Sequence, residues 1–494
     1  MAAFYWDTLL PGVIERTRAA EFPTPDGYVL STLDPTSYPG TYPDVDHEFQ
    51  IKGRLAIGDP LDEDVVRRMM ELQLKVMRED PTGLYRNPCA VQGHGAREYH
   101  VRRNSLDHTT NATMFLITGN VEILEEAWLY VAATKNIAWL EKNILDLEGA
   151  AHGIEEYIDR HGRVWSDVYY EDQVIQDGRV CDAQAFAANG FRLLAELERC
   201  LGREEQAQAF DHRSQQLAST LVEALPLGYW DPASQRFINW VDRSGVVHDH
   251  VHLLSNELPV LFGYARPDQA QAVNRLVDEN LAAFQRFPTF VALDLAGYTD
   301  SEIGVGGPYD LCAAGRYWCW DAAFWALRGN GAILHRQLLQ VARQAAKDAF
   351  QMGERYDMDY VYYIDGKDWH GAARYYEYPC VFTWVLVHDY LGLRVSLDSD
   401  LEVAPRLNTW GQVTISSPRY AVSYTAAPDH FVLKNLSAAP RAFHLDLSYL
   451  YPHAASFLLD QGQSLTSFTS GGCVLLPGGE SCSIQVMNNM IGEG

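Results

Sequence analysis

The sequence predicts a mainly α-helical protein, a ring of helical hairpins, followed by a small antiparallel β-domain. Helical periodicity begins at Asp62 and recurs in paired segments with glycine at the breaks, as at Gly202. After Leu393 apolar and polar residues alternate between turn residues, which is typical of strands. We therefore predict a helical domain over residues 1–395 and a β-sandwich-like domain over residues 396–494.

The predicted helices follow an N-terminal segment of about 60 residues that is rich in Pro, Gly and Tyr. Long aromatic loops separate the hairpins, and binding residues concentrate on such loops. The helical segments cover residues 62–80, 107–118, 121–133, 135–158, 181–201, 203–224, 267–285, 318–329, 331–350 and 376–392.

The composition restricts the partners and the location of the protein. A formal net charge of −26 repels nucleic acid and anionic membranes and favours neutral or cationic ligands. No signal peptide and no membrane span is recognisable, and the eight cysteines form no C-x-x-C motif. We expect a cytoplasmic protein with free thiols, and a Cys473–Cys482 disulfide is the alternative. The oligomeric state stays open.

The most informative segment is Met352–Leu391, in which Glu354 and Glu377 stand among many tyrosines and tryptophans. Aromatic rings stack on the apolar faces of sugars, and carboxylates provide acid and base at a glycosidic bond. Glu354 is placed to activate water, and Glu377, at the start of a helix, to hold sugar hydroxyls; Glu377 is the alternative base. The aromatic residues predicted to contact the sugar in this segment are Tyr356, Trp369 and Trp384.

A second constellation lies in the loop before the helix that starts near Asp182. Asp167 stands beside Trp165 and two tyrosines, and an apolar surrounding raises the pKa of a carboxyl group so that it can act as a general acid. Glu171 and Asp172 are rival acids in the same loop. Asp182 is predicted to be a helix N-terminal residue or a substrate ligand.

Further candidate sugar contacts are spread along the chain. Asp46 follows an aromatic-proline loop, Asp107 is either a helix cap or a pocket residue, and Arg316 and Trp318 belong to an aromatic rim.

A possible metal site is the H-x-H-x-H run of His248, His250 and His252, but this spacing fits a solvated loop equally well. We therefore expect no metal and no organic cofactor.

Taken in order, these segments resemble the clan of inverting (α/α)6-barrel glycosidases that includes trehalase, the processing α-glucosidases and the amylo-1,6-glucosidase domain of glycogen debranching enzyme. The resemblance covers residues 38–393 and implies an (α/α)6 barrel with Asp167 as the acid and Glu354 as the base. The β-domain resembles the caps of rhamnosidase-like members, so the sugar stays undecided. The matching motifs are Tyr42–Asp46, Ser105–His108, Trp165–Asp167, Arg179–Ala185, Gly315–Trp318, Gly353–Asp357 and Arg374–Trp384.

The predicted function is hydrolysis of a terminal glycosidic bond in a small or oligomeric glycoside, with inversion at the anomeric carbon, and we expect the bond to be an α-glycosidic one. Three alternatives remain: a sugar epimerase that uses His252 and His370, an inverting phosphorylase, and a carbohydrate-binding protein without activity.

Overall fold

The chain is described by a computed structural model that contains a helical part followed by a β-rich part. The described residues are 1–10, 42–43, 47–88, 90–91, 97–99, 101–103, 111–168, 170–171, 174–303, 311–356, 375–460 and 465–488.

The helices of the first part mostly begin and end close to the predicted positions. Side-chain caps start several of them, such as Asp59, whose carboxylate accepts a hydrogen bond from the Leu61 N–H. The described helices are α1 (Ala2–Phe4, continued by a π-helical turn Tyr5–Leu9), α2 (His47–Ile57), α3 (Pro60–Arg78), α4 (Thr118–Thr134), α5 (Ile137–Glu155), α6 (Cys181–Cys200), α7 (Glu204–Val222), α8 (Leu253–Leu261), α9 (Pro267–Glu279), α10 (Leu281–Phe284), α11 (Gly315–Leu327), α12 (Gly331–Lys347) and α13 (Glu377–Trp384, continued by Val385–Tyr390).

Alternate helices pack against one another in a cyclic order. α2 packs against α4, α4 against α6, α6 against α8, α8 against α11, α11 against α13, and α13 against α2. The last contact is close because α2 carries Gly53, where a Cβ atom would come within 2.5 Å of the Cβ of Cys380. α3, α5, α7, α9 and α12 each pack against the ring helix that precedes them. Side-chain ligand atoms of Asp182 and His252, at the starts of α6 and α8, lie within 4.8 Å of one another, and the Arg316 N–H at the start of α11 donates to Glu377 at the start of α13. The neighbouring ring helices of each pair therefore run in the same direction.

The interior of the ring contains a cluster of aromatic side chains contributed by several ring helices. Phe186 of α6 contacts Tyr170 and Trp320 at centroid distances of 5.5 and 5.1 Å, and Phe49 of α2 lies 5.9 Å from Tyr170. These edge and tilted contacts are those that aromatic rings prefer in a packed core.

Short antiparallel pairings connect the segments that lead into the ring helices. The strands that come earlier in the chain are β1 (Tyr42–Pro43), β2 (Ala90–Val91), β3 (Arg97–Glu98), β4 (Val101–Arg103), β5 (Asn111–Phe115), β6 (Gly178–Val180), β7 (Trp230–Asp231), β8 (Arg236–Phe237), β9 (Trp240–Asp242) and β10 (Val247–His248). β11 (Ala313–Ala314), which precedes α11, pairs with β12 (Arg355–Tyr356). Isolated bridges join Phe290 to Ala313 and His252 to Ala292. The entrances of α8 and α11 therefore lie at one end of the ring.

The β-rich part contains two sheets. Its strands are β13 (Leu393–Arg394), β14 (Leu401–Val403), β15 (Gly411–Ile415), β16 (Val422–Ala426), β17 (His430–Asn435), β18 (Arg441–Leu445), β19 (Ala454–Asp460), β20 (Leu465–Phe468), β21 (Gly472–Leu476) and β22 (Ser481–Asn488). One sheet has the order β13-β14-β18-β21, and the other has the order β15-β16-β17-β22-β19-β20 and is antiparallel throughout. β14 and β18 are parallel, because the chain between them passes through the other sheet, and this pair departs from the predicted antiparallel domain.

The β-rich part packs against the C-terminal ends of ring helices. The Tyr420 hydroxyl donates to the Leu55 carbonyl near the end of α2 at 3.2 Å, and Arg406 Nε donates to the Ala326 carbonyl near the end of α11 at 2.8 Å. The β-rich part therefore lies at the end of the ring opposite to the helix N-termini.

The local predictions fail in three places, one of which is α8, a helix that was not predicted. Residues 107–118 were expected to be a helix, but Asn111–Phe115 is a strand, and α4 begins at Thr118. Helix α2 was not predicted, because five of its polar residues are buried and conceal the apolar period. These buried polar residues are His47, Glu48, Gln50, Lys52 and Arg54.

Two further predictions concern a disulfide and membrane-spanning helices. Cys473 and Cys482 are both free, so the alternative of a disulfide between them is wrong. Of the helices in the described ranges, none is long and apolar enough to cross a membrane.

Candidate active site

Polar residues gather at the N-terminal ends of four ring helices. Asp182 is the second residue of α6, His252 is the N-cap of α8, Arg316 is the second residue of α11, and Glu377 is the first residue of α13. All four side chains are buried. Because the ring helices run in the same direction, these residues share one end of the ring with the loops that precede them.

The first group, here called the acid–histidine cluster, comprises Asp167, Glu171, Asp182 and His252. His252 Nδ1 accepts the Ser255 N–H at 3.2 Å as the cap of α8, so Nε2 carries the proton that is donated to Glu171 Oε1 at 2.9 Å. Ligand atoms of Glu171, Asp182 and His252 all lie within 4.8 Å of one another. Three acidic groups therefore surround one imidazole.

Burial and mutual repulsion shift the ionisation of this cluster. Burial, followed by the charges of Glu171 and Asp167, raises the pKa of Asp182 to about 8. Burial lowers the pKa of His252, but Glu171, Asp182 and Asp167 raise it more, so it lies above its ordinary value. Asp182 therefore holds a proton at neutral pH, and one of its oxygens, Oδ2, has no partner within the described part of the chain.

The loop that carries Asp167 is fastened to the entrance of α4. The Ser166 hydroxyl donates to the Phe115 carbonyl at 2.6 Å, and the Ile117 N–H donates to the Asp167 carbonyl at 3.1 Å. Asp167 Oδ1 accepts the Val168 N–H at 2.7 Å, and the side chain is fully buried. These bonds hold the carboxyl group of Asp167 on a rigid loop beside the cluster.

The second group, here called the arginine–glutamate cluster, comprises Arg316, Glu354, Arg355 and Glu377. Arg316 Nη2 lies 3.2 Å from Glu354 Oε1 and 3.1 Å from Glu377 Oε2, and Arg355 Nη2 lies 3.3 Å from Glu354 Oε1. The Arg316 N–H also donates to Glu377 Oε1. Two guanidinium groups thus bind two buried carboxylates.

A glycine allows this close approach of α11 and α13. At Gly315 a Cβ atom would lie 3.0 Å from Glu377 Cγ and 3.1 Å from the Tyr378 nitrogen.

The ionisation of Glu377 is shifted by its surroundings. Burial raises the pKa of Glu377, the positive charge of Arg316 lowers it, and the negative charge of Glu354 raises it, and the net result is an increase.

A hydrogen bond joins two residues that are adjacent in sequence to members of the two clusters. Tyr317, which follows Arg316, donates from its hydroxyl to the carbonyl of Tyr170, the residue before Glu171, at 2.9 Å. The two clusters are therefore neighbours at the same end of the ring.

No protein-family model matches the chain, and no curated protein matches it either. In fold, the chain is similar to two solved rhamnosidases. A family GH78 rhamnosidase of Bacillus sp. GL1 is 15% identical over 75% of this chain and 34% of its own, with a TM-score of 0.51. The α-L-rhamnosidase of Dictyoglumus thermophilum is 10% identical over 91% of this chain and 46% of its own, with a TM-score of 0.57.

These comparisons concern the fold alone. The chain spans between a third and a half of the length of the two rhamnosidases. The two fold comparisons are consistent with a helical domain followed by a β-domain. The resemblance to trehalase and the α-glucosidases stays a prediction.

The structure brings some of the predicted site residues together and places others elsewhere. Arg316, Glu354 and Glu377 meet in one cluster, and Asp167 lies beside Asp182 in the other. The predicted residues that lie outside the described ranges are Asp46, Asp107, Asp172, Trp369 and His370.

The four predicted aromatic contacts that lie within the described residues have protein partners. Trp165 Nε1 donates to Asp159 Oδ2 at 3.0 Å, Trp318 Nε1 donates to Gln337 Oε1 at 3.3 Å, and the Tyr356 hydroxyl donates to Asp348 Oδ2 at 2.5 Å. Trp384 stacks on His388 at 4.0 Å. Their role as sugar contacts stays a prediction.

Sequence reasoning overlooked Arg355 and Glu302. Arg355 stands next to Glu354, and a cation beside the predicted base was a usable signal. Glu302 binds both His248 and His250, but no local motif could have predicted this because 54 and 52 residues separate it from them. Within the described part of the chain, two clusters have the ligand types of a metal site. One is His248, His250 and Glu302, and the other is Glu171, Asp182 and His252.

Proposed function

We propose that this protein is an inverting glycoside hydrolase with an (α/α)6 barrel that releases a terminal sugar. The observation that carries the proposal is the gathering of buried carboxylates, with two arginines and a histidine, at the N-terminal end of the helical ring. Glycosidic bonds are cleaved by such pairs of carboxylic groups, one protonated and one ionised.

Glu354 is our candidate for the general base. A base must be ionised, and Glu354 is ion-paired with Arg316 and Arg355. It would take a proton from the water whose oxygen bonds to the anomeric carbon. Glu377 and Arg316 would hold sugar hydroxyls beside it.

Asp167 is our candidate for the general acid, which gives its proton to the leaving oxygen as the glycosidic C–O bond breaks. Support comes from its complete burial among acidic neighbours. Glu171 and Asp182 are its rivals. Asp182 holds a proton at neutral pH, whereas Glu171 accepts the hydrogen bond from His252.

Leaving-group dependence distinguishes these acids. We would measure Asp167→Asn, Glu171→Gln and Asp182→Asn on an alkyl glycoside and on a glycosyl fluoride. Loss of the acid should cost about 10²–10⁴ in rate on the alkyl glycoside and much less on the fluoride. If Asp167→Asn lowers both rates equally, Asp167 is not the acid.

The substrate class is tested by a glycoside panel, with and without phosphate, and NMR of the first-formed anomer. The names of the two fold neighbours make α-L-rhamnosides the first substrates to test. Free sugar of inverted configuration supports the proposal. If the bond is cleaved only when phosphate is present and the product is a sugar phosphate, the enzyme is instead a phosphorylase.

A second candidate function is sugar epimerisation, which the buried Glu171–His252 pair favours. An imidazole held by a carboxylate can move a proton at a carbon next to a carbonyl group. Incubation of free sugars in D2O tests it, because an epimerase incorporates deuterium at the inverted carbon and a hydrolase does not.

A further inference from the structure

We propose that His248, His250 and Glu302 form a binding site for a divalent transition-metal ion, with Zn²⁺ as the probe. The two imidazoles converge on one carboxylate oxygen, with His248 Nδ1 at 2.6 Å and His250 Nε2 at 2.7 Å from Glu302 Oε1. This site is separate from the proposed hydrolase chemistry and does not rest on it.

The ligand set suits an imidazole-preferring ion. Two histidines and one carboxylate bind Zn²⁺ with water in the remaining position, and similar sets bind other first-row divalent ions. Zn²⁺ bonds of about 2.0–2.1 Å require ligand atoms roughly 3.3 Å apart in a tetrahedron. The distances from Glu302 Oε1 to His248 Nδ1 and to His250 Nε2, now 2.6 and 2.7 Å, would therefore each have to increase by less than about 1 Å.

Each ligand is oriented by neighbouring groups. His248 stacks on Trp240 and His250 stacks on Tyr298, both at centroid distances of 3.7 Å. Glu302 uses its other oxygen, Oε2, to accept the Thr299 N–H at 2.7 Å and hydroxyl at 2.8 Å. Oε1 is therefore the oxygen presented to the imidazoles.

A second carboxylate lies behind His248. Among the described residues, His248 Nε2 is buried without a hydrogen-bond partner, and it lies 3.7 Å from Asp242 Oδ2. Asp242 Oδ1 is occupied by the N–H groups of Ser244 and Val246. Metal-binding histidines commonly present their other nitrogen to a carboxylate in this way.

Access and charge also favour an ion. The side chains of His248, His250 and Glu302 are 20%, 14% and 5% exposed, so solvent reaches the histidines. A net charge of −26 attracts cations to the whole protein.

The site would act as a structural link beside the candidate active site. His250 lies two residues before His252, and the Glu302 carbonyl accepts the Ile175 N–H at 2.8 Å in the loop that follows Glu171. A bound ion would therefore join the segment that enters α8 to the loop of the acid–histidine cluster.

The experiment uses the full chain, freed of metal by a chelator and titrated with ZnCl2 by calorimetry. We expect one tight site per chain. Glu302→Gln and His250→Ala should each weaken it by at least about 100-fold, since loss of outer partners alone costs about 10–100-fold. His430→Ala, which alters an exposed His–Asp pair of the β-domain, should leave it unchanged.

Glu171→Gln separates this site from the acid–histidine cluster. If Glu171→Gln still binds Zn²⁺, the proposal is supported. If Glu171→Gln loses Zn²⁺ binding while Glu302→Gln retains it, the ion binds in the acid–histidine cluster and the proposal is wrong. Co²⁺ absorption of the unaltered protein is a measurement that needs no variant. Visible bands of a nitrogen and oxygen site support the proposal, and a thiolate charge-transfer band or no binding overturns it.

Discussion

Replacement of Arg316 by methionine should destabilise the protein strongly. The Arg316 guanidinium is 1% exposed and neutralises Glu354 and Glu377, which are 5% and 0% exposed. Removal of one partner of a buried ion pair costs about 3–5 kcal/mol, because the remaining charge stays buried without compensation. This loss is a large part of the roughly 5–15 kcal/mol by which a domain is stable.

Arg328→Met is the matched control, because Arg328 lies at the other end of the same helix. It binds Asp278 with two hydrogen bonds of 2.9 and 2.8 Å, but the Asp278 side chain is 51% exposed. An exposed ion pair is worth about 0–1 kcal/mol. Urea unfolding followed by tryptophan fluorescence should therefore show a much larger loss for Arg316→Met.

The pH dependence of this loss has a defined sign. Without Arg316 the pKa of Glu377, already raised by burial, rises further in the folded state. The folded variant then binds more protons than the unfolded chain, so its stability falls as the pH rises. The deficit against the wild type should be smaller at pH 5 than at pH 8. A loss equal to that of Arg328→Met, or one independent of pH, would refute the buried ion-pair interpretation.

Three further predictions concern the catalytic base, the cluster charge and the domain contact. Glu354→Gln should abolish turnover and retain sugar binding in calorimetry; an active variant would exclude Glu354 as the base. The pKa of Asp182 is raised to about 8 by burial and by Glu171, so the contribution of Asp182 to wild-type stability should fall as the pH rises from about 4, the unfolded pKa, towards 8. Thermal unfolding of Asp182→Asn should show a smaller fall, and parallel profiles would contradict the shift. Arg406→Met removes the bond to the Ala326 carbonyl and should increase proteolysis between the domains without changing kcat on a glycoside; a changed kcat would place the β-domain in the site.

Local patterns in the sequence identified most of the architecture. Helical periodicity predicted the ends of α6, α7 and α12 to within three residues, because each helix keeps an apolar face in the core. Period-two alternation predicted strands after Leu393 because alternate residues of a half-buried strand face the core. The pattern failed at α2, where charged side chains are buried in the interior.

The sequence also singled out the carboxylates of the candidate site, because carboxylates among aromatic rings and a glutamate at a helix start are local features; their catalytic roles stay predictions. Only the tertiary structure decided their partners. Arg316 meets Glu354 and Glu377 across 38 and 61 residues, and His252 meets Glu171 across 81. Such pairs form when the ring closes and aligns the helix N-termini, and charge pairing over that separation leaves no periodic trace in the chain. Burial at those positions then determines which carboxyl group holds a proton and which is ionised, and this depends on neighbours that no local pattern reveals.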